Sequence, residues 1–171
     1  MAKFLILFLG LVSMQVSAQS MKLTKLDTTQ YFDFWEGTWE GTWPEGDKQG
    51  KAINKVYWIS GDKVLHENFE VVEGQSKGFK GTSISVYRPQ LDLWKQAWAD
   101  NQGGYFDFVG SFEADNRMFQ TEPVERSGQM FMQRMVFKKI KKDSFTWDWE
   151  ASQDGGKTWN LNWQINYTRV D

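Results

Sequence analysis

Apolar and polar positions alternate in short runs broken by Gly, Asn, Asp and Pro. The clearest run is 159–169, where Trp159, Leu161, Trp163, Ile165 and Tyr167 fall on one side and Asn160, Asn162, Gln164, Asn166 and Thr168 on the other. Successive side chains of a strand point to opposite faces, so this period of two predicts a half-buried strand with its aromatic side inward. Phe145, Trp147 and Trp149 repeat the pattern against Thr146, Asp148 and Glu150. The same rhythm predicts ten strands, at 35–43, 51–59, 63–72, 79–88, 93–100, 105–112, 118–122, 130–137, 144–152 and 159–169. The turns between them, such as 60–62, 101–104 and 154–156, permit only hairpins between antiparallel neighbours. A meander of this kind exposes two edges unless it closes. The expected fold is therefore all-β, a ten-stranded antiparallel up-and-down barrel, which encloses a cavity unless very large side chains fill it.

The stretch 31–43 reads Tyr-Phe-Asp-Phe-Trp-Glu-Gly-Thr-Trp-Glu-Gly-Thr-Trp. Trp35, Trp39 and Trp43 recur every fourth residue and share one face at strand spacing, with Gly37 and Gly41 between them. Glycine there leaves room for packed indoles and lets the first strand bend. A short helical turn capped by Asp27 or Thr28 is expected just before it, with Phe32, Phe34 and Trp35 plugging one barrel end.

Two polar residues intrude on apolar faces. Glu67 shares a side with Leu65, Phe69 and Val71, and Gln96 shares one with Trp94, Trp98 and Asp100. A buried carboxylate has to be paired, hydrogen-bonded or protonated, and a buried amide needs partners. Arg134 is the natural candidate partner, although the alternation in 130–137 does not say which face is inside. Glu67, Trp94, Gln96, Trp98, Arg134, Trp147, Trp149 and Trp163 are thus the candidate ligand-binding set, for a small apolar or aromatic molecule. For catalysis the chain offers no Cys and no Gly-x-Ser-x-Gly elbow, and its one histidine, His66, lies on a polar strand face. An enzyme reading would rest on the carboxylates Glu67, Asp100 and Asp107. A third alternative is an envelope interaction module with a filled core. One His and no Cys supply no metal-ligand set, and no cofactor is expected.

Lys3, the apolar run 4–12 and Val16-Ser17-Ala18 have the form of a secretory signal peptide cut after Ala18. The expected organisation is a signal peptide at 1–18, a tail at 19–30 and one barrel domain at 31–171, secreted or periplasmic. The run is too short to span a bilayer, and no later one is longer. The net charge is −2, and the one dense basic run, 138–142, reads as a solvated hairpin, so nucleic acid is not an expected partner. Ten Trp, 13 Phe and 5 Tyr demand a large enclosed aromatic surface.

Gly37-Thr38-Trp39 after an aromatic turn, with Arg169 on the last strand, resembles the calycin superfamily of lipocalin and fatty-acid-binding-protein-like barrels. The resemblance implies that Trp39 packs at the closed end beneath the basic side chain, with Trp35 and Gly37 structural. The blocks at 32–39 and 149–159, with Trp94-x-Gln96-x-Trp98-x-Asp100 between them, are similar to a bacterial family of unknown function within that group. Ser152 to Trp159 also resembles the Asp-box hairpin of β-propellers. That motif gives Asp154, Gly156 and Trp159 structural roles, and its single occurrence argues against a propeller.

Overall fold

The computed structural model describes residues 27–170. The expected signal peptide and most of the tail lie outside the described residues. Two single-turn 3-10 helices, Thr28–Gln30 and Asp33–Trp35, lead into eleven strands. These are β1 (Gly37–Glu45), β2 (Lys48–Ile59), β3 (Val64–Glu73), β4 (Lys80–Arg88), β5 (Leu93–Asp100), β6 (Tyr105–Glu113), β7 (Asn116–Thr121), β8 (Val124–Arg126), β9 (Gln129–Lys138), β10 (Ser144–Ser152) and β11 (Asn160–Arg169). Each strand pairs antiparallel with its neighbour, β7 passes over β8 to pair with β9, and β11 returns to pair with β1. The result is the closed ten-stranded antiparallel barrel that the alternation predicts, without a free edge in the ring. The extra strand β8 is short and pairs only with the first residues of β9. Among the described residues no helix is long and apolar enough to cross a membrane.

Three features depart from the sequence reading. Trp35 sits in the second 3-10 turn rather than in β1. The first hairpin turns tightly at Gly46-Asp47, with Gly46 at φ 64°, so β2 begins at Lys48 and not near residue 51. In β11 a bulge sets Trp149 opposite Trp163 but Glu150 opposite Leu161, so the strand changes phase at Asn162. Trp163, Ile165 and Tyr167 face inward as expected, whereas Leu161 is exposed and Trp159 lies outside against Arg134.

The 3-10 turns close one end. Asp27 caps the first by accepting from the Thr29 N–H at 2.9 Å. Phe32 is fully buried, stacked on Phe119 at 4.3 Å and edge-on to Trp94 at 5.2 Å. Trp39 meets Phe145 edge-on, and its Nε1 donates to the Trp35 carbonyl at 2.9 Å. The Arg169 guanidinium lies 4.1 Å over the Trp39 ring and donates to the carbonyls of Glu36 and Phe34. The plug is thereby bolted to the last strand.

The β10–β11 hairpin is organised by Asp154. Its Oδ1 accepts from Ser152 Oγ, Lys157 N and Thr158 N, and Oδ2 accepts from Thr158 Oγ1 at 2.6 Å. These bonds, led by those from Thr158, hold its carboxyl well below the usual carboxylate range. Gly156 takes φ 86°, and its carbonyl accepts from Trp159 Nε1. All three residues take part in the hydrogen bonds of this turn, and Trp159 braces the hairpin from outside the barrel.

Candidate functional site

At the end away from the plug the barrel is hollow, with a cavity of about 290 Å³. Phe79 and Gln102, from the loops at the ends of β4 and β5, stand at its mouth, and Trp35 rises from the plug to line its inner end. Aromatic rings form the walls. Trp147 and Trp149 lie parallel at 6.3 Å, Trp163 stands perpendicular to Trp147 at 5.8 Å, and Phe106 meets Trp149 edge-on. Phe69 bridges Trp163 and Trp98. Room for the Trp98 ring comes from Gly81 across the β4–β5 pair, where a Cβ would collide with the indole. Edge-to-face contacts of this kind add stabilisation beyond the area buried and keep the walls rigid.

Glu67 projects from β3 into this aromatic space and is 5 % exposed. The neighbouring strands supply its partners. Asn54 Nδ2 of β2 donates to Oε1 at 2.8 Å, and Ser83 Oγ of β4 donates to Oε2 at 2.6 Å. Among the described residues no Lys, Arg or His lines the cavity. Burial disfavours the charged form more strongly than the bonds from Ser83 and Asn54 favour it, and the carboxyl is pushed up to about 7. Tyr167 of β11 faces the same space, and burial together with the nearby Glu67 charge pushes its phenol well up, so it stays neutral. The Asn54 side chain lies close to the phenol and opposes this shift, while its Oδ1 has no hydrogen-bond partner.

The expected ligand set divides. Glu67, Trp98, Trp147, Trp149 and Trp163 line the cavity together. Gln96 is inward and buried, but it lies one pair nearer the plug, where Nε2 donates to Ser85 Oγ and Oε1 has no partner. Trp94 is consumed by the plug, edge-on to Phe32, with Nε1 donating to the Thr28 carbonyl at 2.8 Å. Arg134 is a correction. Met135 and Phe137 occupy the inward positions of β9, so Arg134 points outward, stacks 4.0 Å over Trp159 and donates from Nε to Glu150 Oε2 at 2.6 Å. On the same outer face Lys138 pairs with Asp148 and lies 3.4 Å from Glu150.

Of the carboxylates named as an acid/base set, Glu67 and Asp100 line the cavity and Asp107 does not. Asp107 points outward, exposed and paired with Lys95 at 2.6 Å. Asp100 lines the mouth, but its carboxylate organises the β5–β6 turn by accepting from the N–H groups of Gln102 and Gly104. Burial raises its pKa, yet those bonds and the Trp98 indole outweigh burial and hold the group below its ordinary value. His66 sits on the outer face between Tyr57 and Thr82. The Thr82 hydroxyl donates to the Glu67 carbonyl, so His66 Nε2 is the donor to Thr82 and the Tyr57 hydroxyl donates to Nδ1.

Asn54, Ser83 and Tyr167 complete the site and were not singled out from the sequence. Asn54 was within reach of the same reasoning, because it interrupts the inward series Ala52, Val56 and Trp58 much as Glu67 interrupts Leu65 and Phe69. Compared with models of known protein families and with curated protein sequences, the chain matches none, which leaves the cavity geometry as the ground for a functional reading.

Proposed function

We propose that this chain is a small-molecule-binding barrel whose ligand occupies the aromatic cavity around Glu67. The observation that carries the reading is a hollow of about 290 Å³ walled by Trp98, Trp147, Trp149 and Trp163 with one polar cluster inside it. That volume is at the lower end of the roughly 300–1,000 Å³ usual for ligand sites, and apolar walls with few oriented polar groups are what such sites need. The resemblance to calycins and the secretory form of residues 1–18 agree with a carrier working in the periplasm or outside the cell. Titration with a panel of small aromatic and apolar compounds, read by tryptophan fluorescence, tests it. Saturable quenching by some members, lost in Trp149→Ala and Trp163→Ala, is expected. A panel that quenches nothing, or quenches these variants equally, would sink the reading.

A second reading is favoured by Glu67 alone, a buried carboxyl at about 7 inside an aromatic cavity being suited to proton transfer. It would make the barrel a one-carboxylate isomerase or cyclase. Turnover of a metabolite extract by wild type and not by Glu67→Gln would decide for it, and equal traces from both would decide against it.

A further inference from the structure

The polar atoms inside the cavity are unequal in kind. Each carboxylate oxygen of Glu67 accepts a single hydrogen bond, from Asn54 or Ser83, although each can accept two. Asn54 is 1 % exposed, lines the cavity and leaves Oδ1 without a partner. While Glu67 is ionised its amide cannot turn over to cure this, because the other orientation would set oxygen against the carboxylate. Since Asn54 Nδ2 is bonded to Glu67 at 2.8 Å, the orphaned Oδ1 is held beside the carboxylate. These acceptors thus stand together with no Lys, Arg or His among the described residues lining the cavity to balance them, and Trp98 and Trp163, both packed on Phe69, line the same cavity.

A ligand carboxylate placed here would meet the Glu67 carboxylate and Asn54 Oδ1 with only the Tyr167 hydroxyl to donate to it, and a ketone or ether would bring nothing to satisfy either acceptor. A hydroxyl could donate once. An ammonium group donates up to three times, balances the carboxylate, and is attracted to indole faces. We infer that the ligand is a protonated primary or secondary amine on an aromatic or apolar body, its nitrogen seated between the Glu67 carboxylate and Asn54 Oδ1. This rests on the binding reading above and names its ligand class.

Binding an ammonium favours the ionised carboxylate, so below about pH 7 each amine bound releases a proton from Glu67. Two other titratable groups face this space. Tyr167 of β11 stays neutral, and Asp100 of β5 is already ionised by its turn bonds. The response around neutrality is therefore that of Glu67.

Isothermal titration calorimetry of the barrel with 2-phenylethylamine, 2-phenylethanol and 3-phenylpropanoate tests the inference. At about pH 7.5 the amine is expected to bind at least ten-fold tighter than the alcohol, with no detectable binding of the propanoate. Amine affinity is expected to fall about ten-fold per unit as the pH drops below 7. Glu67→Gln should lose both the amine preference and the pH slope while still binding the alcohol, which also reports that it is folded. Equal or tighter binding of the alcohol or the propanoate overturns the inference and leaves the binding barrel standing, as does an amine preference that survives in Glu67→Gln. If none of the three binds, the inference falls, and silence across the fluorescence panel as well removes the binding reading with it.

Discussion

The replacement of Glu67 by Gln should stabilise the ligand-free barrel at alkaline pH, an unusual outcome for a buried polar residue. Burial raises the carboxyl from 4.5 to about 7 in the folded chain. Between those values the folded state holds a proton that the unfolded state has lost, so stability is fully present below about 4.5 and declines as the pH rises through about 7. A displacement of this size corresponds to about 3 kcal/mol lost by about pH 8. Glutamine has the shape of the neutral acid and never ionises. Its NH₂ must nevertheless face Ser83 or Asn54, each of which now donates, and reorienting one of them costs about 1 kcal/mol. The net expectation at about pH 8 is a gain of about 2 kcal/mol for Glu67→Gln, falling to about zero at about pH 5 and becoming a loss of about 1 kcal/mol below about pH 4. Urea denaturation of both proteins across this range measures it. Only the difference between them is diagnostic, because Asp100 and Asp154, whose carboxyls are held down by turn bonds, lose stability in acid in both. A difference independent of pH, or one that favours wild type more as pH rises, would refute the assignment of Glu67 as a buried carboxyl without a cation.

Trp39→Ala should cost about 3–5 kcal/mol, since it removes a fully buried indole together with its contacts to Arg169, Phe145 and the Trp35 carbonyl, and calorimetry should show a melting temperature lower by about 10 °C. Arg134→Ala should cost about 2 kcal/mol, because Glu150 loses its closest partner while Lys138 remains 3.4 Å away, and it should leave ligand quenching unchanged. A loss of quenching without a loss of stability would return Arg134 to the site. Asp107→Asn should change stability by less than about 1 kcal/mol, and affinity not at all, as expected of an exposed pair with Lys95.

The barrel was legible in the chain because its information is local. Alternation marks each strand, short polar turns force neighbouring antiparallel pairs, and Arg169 with Trp39 identifies the closed end. The site was legible where a single polar residue broke an apolar face, as Glu67 does between Leu65 and Phe69. Three things escaped, each for a physical reason. The bulge at Asn162 shifts the phase of β11 by one residue, and periodicity carries no sign of where that happens, so Trp159 and Leu161 were assigned to the wrong face. Strand β9 has large side chains on both faces because its outer face is itself covered by the Arg134, Glu150, Lys138 and Asp148 cluster, so polarity could not choose for Arg134. Trp94 and Trp98 share a face but sit at different heights in the barrel, one under the plug and one at the cavity, and height depends on strand stagger rather than on alternation.

The central claim is that the cavity around Glu67 is occupied in the working protein. Native mass spectrometry of the protein purified from its own host tests this most directly. One small molecule bound per chain, released on denaturation and absent from Trp149→Ala prepared in the same way, is the predicted result. A bare polypeptide mass under every growth condition, or an adduct carried equally by wild type and Trp149→Ala, would contradict it.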